Sequence, residues 1–428
     1  MKNARRVAAA GTTLALGLMA LTACSGSSSG GGGGGAQSGG DSRGPITFVQ
    51  GKDTSGVILE IAKMWNAKHP KEKVTVKQQT DQADQQFQDL TQNFQQKTAD
   101  YDAVSVDVVW TAEFAAKQYL QPLTGQYKLD QSAILPSVLD TAKYAGVQYA
   151  APTSTDSQML YYRKDLLGDN PVPKTLDDMF KLCPVAKKAG IDCYAGQFAK
   201  YEGLTVNFNE AVTSAGGTVV DAKGKPTLDT PQAEAGLQKL VDNFKNGNIP
   251  KGAVGYQEQQ GLDSFEQGKL MFLNNWPYMV ADIANNDQAK GIRSKYAIAG
   301  YPGQSAVGGH NWAISAFSDH KKTALDWIKF AQSEEIQKYN IEKASAAPVL
   351  SALYSDTALT KQYPYLTTLK DSLDTAKARP ISPYYQGVTQ AVQNNVYAAL
   401  QKASNGQDVD VKAVLKSTAD SITAASNG

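Results

Sequence analysis

The chain has 428 residues, 42% of them hydrophobic and 19% charged, with a formal net charge of +1. That length is more than one hydrophobic core usually holds, so two domains are expected. The near-neutral balance excludes an electrostatic partnership with nucleic acid or an anionic lipid surface.

Lys2, Arg5 and Arg6 precede an apolar stretch from Val7 to Leu21. It is too short and too rich in Ala, Gly and Thr for a spanning helix, and residues 1–23 read as an export signal. The stretch ends in Leu21-Thr22-Ala23-Cys24, which is similar to a lipobox. Cys24 is therefore expected to accept a diacylglycerol and become the first residue after cleavage; the alternative is an ordinary secretory signal. Residues 24–44 are mostly Ser and Gly, with six consecutive glycines from Gly30 to Gly35. Such a tether is a flexible coil with a reach of about 25 Å. The remaining chain is expected as a body held at the outer face of the cytoplasmic membrane.

Pro45 to Gln50 reads as a first strand, broken by Gly51. Val57, Ile58, Ile61 and Trp65 share one helical face up to Pro70, and Val74 and Val76 mark a second strand. Phe87, Leu90 and Phe94 mark a second helix. Ala103 to Val109 is a nearly continuous apolar strand carrying Asp107, and Phe114 to Leu120 a short helix. This βαβαβα order predicts an open α/β sheet with parallel strands. A strand is expected over Met159–Arg163, mainly helix from Leu176 to about Leu270, then a strand over Lys269–Leu273. Tyr301-Pro302-Gly303 and Gly308-Gly309 read as turns, Trp312-Ala313-Ile314 leads into a helix through Trp327, and the end from about Tyr365 is mainly helical.

With Cys24 given to lipid, Cys183 and Cys193 remain, and in an oxidising compartment a small-loop disulfide is expected. No CxxC, HExxH, P-loop or DxDxDG pattern occurs, and the three histidines stand in unrelated contexts. No metal, cofactor or catalytic activity is expected.

The residues suited to recognising a hydroxylated, partly apolar molecule are a different set. Asp107 ends its strand close to Trp110 and Glu113, where open α/β sheets bind ligands. Asp156 stands in a similar place. Trp276 lies in Asn274-Asn275-Trp276-Pro277-Tyr278, His310 and Trp312 flank Asn311 after two glycines, and Arg379 precedes Pro380-Ile381-Ser382-Pro383-Tyr384-Tyr385. A pyranose has an apolar face that packs on indole and a rim of hydroxyls for carboxylates and guanidinium. Each residue has a structural alternative: Asp107 a helix cap, Trp276 a core aromatic, Glu202 a surface charge, Arg379 a structural salt bridge, His310 a hinge residue.

Val106 through Phe114, Ala151-Pro152 through Tyr161-Tyr162-Arg163, Gly196-Gln197-Phe198 through Glu202-Gly203, Asn275 to Tyr278 and Ala378 to Tyr385 follow one another along the chain. In that order they resemble the extracellular solute-binding proteins of ABC sugar importers, most nearly the trehalose/maltose branch. The resemblance implies an α/β fold of two lobes, joined by three chain crossings around an interlobe cleft. The N-terminal lobe would comprise 45–152 and 306–350, the C-terminal lobe 153–305 and 351–428, with crossings near 152, 305 and 350. It implies hydroxyl-binding roles for Asp107, Asp156, Glu202 and Arg379, stacking by Trp276, and backbone amides from Gly308-Gly309. Asp53, Glu113, Asn274 and His310 complete the candidate contacts. Many maltose-type relatives carry a second tryptophan where this chain has His310, a departure that favours a compact disaccharide. The implied partners are a disaccharide and an ABC permease, for a monomer. A secreted glycosidase and a binder of a non-sugar ligand are the alternatives.

Overall fold

A computed structural model describes residues 42–221 and 224–427. The export signal, Cys24 and most of the tether lie outside the described residues. The strands are β1 (Ile46–Gln50), β2 (Val74–Gln78), β3 (Ala103–Asp107), β4 (Lys143–Tyr144), β5 (Val147–Gln148), β6 (Ala150–Ser157), β7 (Met159–Arg163), β8 (Asp192–Ala195), β9 (Leu270–Asn275), β10 (Tyr296–Gly300), β11 (Ala306–Ile314) and β12 (Lys377–Ala378).

Two sheets organise two lobes. The first has the order β12-β11-β3-β1-β2, with β6 also paired to β11. β1 runs parallel to β2 and β3, as the βαβαβ opening predicts. β11, however, is antiparallel to β3, and β6 is antiparallel to β11, so the sheet is mixed. The helices Val57–Lys68 and Ala83–Gln96 bury the faces read from the sequence, through Val57, Ile58, Ile61 and Trp65 and through Phe87, Leu90 and Phe94. Each such side chain stabilises by about 1.5–3 kcal/mol on removal from water. β3 ends at Asp107, before Val108 and Val109, and the next helix begins early, at Thr111.

Gly308 and Gly309 lie within β11, where the sequence reads as a turn. Gly309 has φ +108°, and a Cβ there would stand 2.4 Å from the Ser154 carbonyl oxygen. The glycines thus serve close approach of two strands, with a register shift between His310 and Asn311.

The second sheet has the order β10-β7-β9-β8. β8 falls inside the stretch read as mostly helical; its four residues are too few to display alternation. The Cys183–Cys193 disulfide, with Cα atoms 5.0 Å apart, ties β8 to the helix Cys183–Lys188 before it.

The chain passes from the first sheet to the second through a single residue, Gln158, between β6 and β7. It returns between Gly300 and Ala306, and passes again after the helix Glu334–Ala344, before β12 rejoins the edge of the first sheet. Ile134, Leu135, Val138, Ile341, Ala347 and Val349 pack with the core of the second sheet. Among the described residues no helix is long and apolar enough to cross a membrane.

Candidate functional site

Asp107 closes β3 at the point where the backbone turns. Its carbonyl accepts the Trp110 N–H at 2.9 Å, and its Oδ1 accepts the Val109 N–H at 3.2 Å. Asp107 thus closes a local turn and does not cap the helix Thr111–Ala116, and the same oxygen also accepts Arg379 Nη2 at 2.8 Å. Arg379 follows β12 directly, so the edge pairing of β12 with β11 aims it across the seam between the lobes. Its Nη1 donates to Glu202 Oε1 at 2.7 Å, and Tyr385 Oη donates to that oxygen at 2.5 Å. Glu202 opens the helix Glu202–Ser214, where the positive end of the helix dipole favours a carboxylate.

Arg379 and Glu202 are 3% and 4% exposed, so both charges have left water at a cost that only good pairing offsets. Burial raises the Glu202 pKa to about 7; Arg379 opposes the rise and Asp107 adds to it. Burial works against the Arg379 charge, yet Asp107, Tyr385 and Glu202 outweigh it, and the guanidinium stays ionised. Arg379 Nε and Glu202 Oε2 are buried and make no hydrogen bond within the described protein.

Asp156 faces Gly308 across the β6–β11 ladder. Burial pushes its pKa up to about 8, helped by the charge of Asp107 and opposed by Arg379. Gly308 is where Trp276 lies against the strand: a Cβ there would stand 2.8 Å from the indole Cζ3 and 3.2 Å from Asp156 Cβ. Trp276 follows β9 and is half-buried. Its N–H donates to Asn275 Oδ1, and its carbonyl accepts Tyr161 Oη, both at 2.8 Å. His310 pairs in register with Asp107. His310 is exposed, and partial loss of water lowers its pKa; Asp107 pulls it back up and Arg379 adds to the fall.

Asp107, Glu202 and Arg379 are thus joined by direct bonds, with Asp156, Gly308, Trp276 and His310 around them. Three candidates are engaged elsewhere. Asp53 caps the first helix: Oδ1 accepts the Ser55 N–H at 2.9 Å, and Oδ2 the Ile58 N–H at 2.9 Å. Glu113 accepts Lys117 Nζ at 2.6 Å and the Gln386 N–H at 2.9 Å, which makes it a bridge between the lobes. Asn274 is fully buried and donates to Glu210 Oε2 at 3.2 Å, while its carbonyl accepts Gln197 Nε2 at 2.8 Å. Glu210 in turn accepts the Ala306 N–H at 3.0 Å, at the second passage between sheets. Burial raises the Glu210 pKa to about 8 against those hydrogen bonds.

Trp312, read as part of the recognition set, is a core residue. Its ring stacks on Trp327 at 5.3 Å and lies 4.2 Å from Phe48. Trp65, Trp110 and Trp327 are buried as well, so of the five tryptophans Trp276 is the one left partly exposed. Tyr385 joins the cluster of Arg379 and Glu202 without having been singled out from the sequence. It ends the Arg379–Tyr385 segment, and only the fold shows its hydroxyl on Glu202.

Among the described residues there is no cluster of His, Cys, Asp or Glu suited to a metal. A crevice of about 530 Å³ lies between the lobes beside Glu113, lined also by Lys117, Tyr144 and Tyr384. Another, of about 400 Å³, lies by Lys77, Asp89 and Tyr101 on the first lobe. Arg379 lines neither crevice.

Two lobes that meet over a buried, polar and partly aromatic seam define a hinged binding protein. The sequence comparisons agree: residues 50–338 match the model of the bacterial extracellular solute-binding protein family, and the chain belongs to that family. It is 30% identical over 336 residues to a probable ABC transporter-binding protein of Deinococcus radiodurans, covering 72% of this chain and 77% of that one. It is 25% identical over 223 residues to the galactooligosaccharide-binding protein of Bacillus subtilis, covering 50% of this chain and 52% of that one. The fold superposes on maltose-bound MalE3 of T. maritima with a TM-score of 0.82 at 29% identity, over 89% of this chain and 99% of that one.

Proposed function

We propose that this chain is the substrate-binding lipoprotein of an ABC sugar importer, capturing an α-glucoside disaccharide of the trehalose or maltose type. The observation that carries this reading is Arg379, which holds Asp107 of one lobe and Glu202 of the other within one buried cluster. A sugar ringed by hydroxyls can bond such a cluster from both sides, while the face of Trp276 offers it an apolar contact. A solute that touches both lobes has higher affinity for the closed form and shifts the population towards it. The closed form then delivers the sugar to a permease, and a lipid on Cys24 keeps the receptor beside that permease. His310, in place of a second indole, favours a compact disaccharide over an extended chain. No chemistry on the sugar is involved, in keeping with a family of binding proteins.

Calorimetry with trehalose, maltose, a galactooligosaccharide and a short peptide tests the reading. Binding of trehalose or maltose with the others silent is the expected result. Peptide binding without any sugar binding overturns it, and galactooligosaccharide binding alone moves the linkage preference away from α-glucosides.

A further inference from the structure

The segment from Arg379 to Gln386 is held at both ends by one stretch of the first lobe. Asp107 Oδ1, at the end of β3, accepts Arg379 Nη2 at 2.8 Å. Further along the same stretch, in the helix Thr111–Ala116, Glu113 Oε2 accepts the Gln386 N–H at 2.9 Å. Gln386 lies in the first turn of the helix Tyr385–Ser404, whose Val388, Val392, Val396 and Leu400 belong to the core of the second lobe. The N-cap of that helix, Tyr384, supplies no side-chain bond to it. The first N–H groups of a helix have no partner inside it, so the acceptor here comes from the other lobe. Glu113 is 4% exposed, and its second oxygen takes Lys117 Nζ at 2.6 Å. A carboxylate at this pole also meets the positive end of the helix dipole.

The same two ends converge on one atom of the second lobe. Arg379 Nη1 and Tyr385 Oη both donate to Glu202 Oε1, at 2.7 Å and 2.5 Å. Tyr385 is fully buried within the apolar cluster of the first lobe that holds Phe87 and Phe114, so its helix starts in one core and continues into the other. We infer that Glu113 is a positioning residue for the solute site: by capping the helix Tyr385–Ser404 from the opposite lobe it fixes Tyr385, and with it the Glu202 carboxylate that Arg379 shares. Without Glu113 the Gln386 N–H loses its acceptor, the helix end relaxes, and the Tyr385 hydroxyl moves with it. Glu113 thus acts on recognition through Tyr385 and Glu202. The inference rests on the sugar-binding reading only for its effect on affinity; the clamp is a property of the protein alone.

Hydrogen exchange and a double-mutant cycle on the full chain test the clamp. The Gln386 amide should exchange at least about a hundredfold more slowly than in an unstructured chain, and Glu113→Ala should remove most of that protection. Glu113→Ala and Tyr385→Phe should each weaken disaccharide binding by about tenfold, and the two together hardly more than either, because both break one path. Glu113→Gln, which keeps an oxygen for the N–H, should recover most of the loss. In the unliganded protein the same pair should be coupled by about fivefold in the folding equilibrium constant. An unprotected Gln386 amide overturns the clamp, whether or not Glu113→Ala folds. Additive losses in the cycle overturn it too; where Glu113→Ala does not fold, Glu113→Asp, which keeps the charge and shortens the reach, takes its place. A coupled pair in a protein that binds no disaccharide upholds the clamp and overturns the sugar reading instead.

Discussion

Arg379 Nη1 and Glu202 Oε1 meet at 2.7 Å across 177 residues of sequence, and both side chains are buried. A charge pair taken out of water is stable only while complete, so removal of one member strands the other.

Arg379→Ala leaves Glu202 and Asp107 facing one another without a cation. Stability should fall by about 3–5 kcal/mol, and affinity for a disaccharide by well over tenfold. Arg379→Lys offers one ammonium in place of a fork that spans two carboxylates, and should recover only part of either loss. Chemical denaturation beside calorimetry reads both. A variant as stable and as tight as the parent would move the site away from this residue.

Gly308→Ala tests the indole from the opposite side. Its Cβ would stand 2.8 Å from Trp276 Cζ3, so the ring must shift. Trp276→Ala removes the face altogether. Both variants should lose about tenfold or more in affinity, with circular dichroism unchanged. Equal affinity in both would exclude stacking on Trp276.

Three carboxylates near the seam contribute to the pH dependence of stability, and Glu266, raised to about 7 by burial, adds to them. Asp156, Glu202 and Glu210 have pKa values raised to about 8, about 7 and about 8. Between about pH 4.5 and about pH 8 the folded chain keeps protons that the unfolded chain has released, so unfolding free energy falls as pH rises and then levels off. The melting temperature at about pH 8.5 should lie below that at about pH 5.5, and Glu210→Gln, which cannot ionise, should flatten the slope. An identical slope in that variant would remove Glu210 from the set.

The disulfide is a stabilising clip away from the seam. Cys183 and Cys193 are 10 residues apart, and their bond joins a helix to β8. Cys183→Ser with Cys193→Ser should cost about 2–3 kcal/mol and leave ligand affinity unchanged. Loss of binding at intact fold would tie β8 to recognition.

Legibility in the sequence followed the range of the interaction. The first helices and strands were plain, because Val57, Ile58, Ile61 and Trp65 repeat at helical spacing and bury together as that spacing demands. Asp107 was legible as a polar end to an apolar strand. Glycine misled at 308 and 309, where absence of a Cβ serves strand contact and a ring, not a turn. Trp312 misled because it shares a polar neighbourhood of sequence with His310, while its ring packs on Phe48 and Trp327 beyond the register shift in the strand. Tyr385 was legible only as the end of its segment, since Glu202 lies far along the chain and only tertiary contact brings its hydroxyl there.

Gln158 has a mechanical consequence. One peptide unit separates a ladder in one sheet from a ladder in the next, and Ser157 Oγ and Ser305 Oγ, 2.9 Å apart, rivet the neighbouring passage to it. Sliding or stretching there would tear strand pairing on one side or the other. Relative movement of the lobes at this passage would therefore fall on the torsions of a single buried glutamine beside a bonded pair of serines.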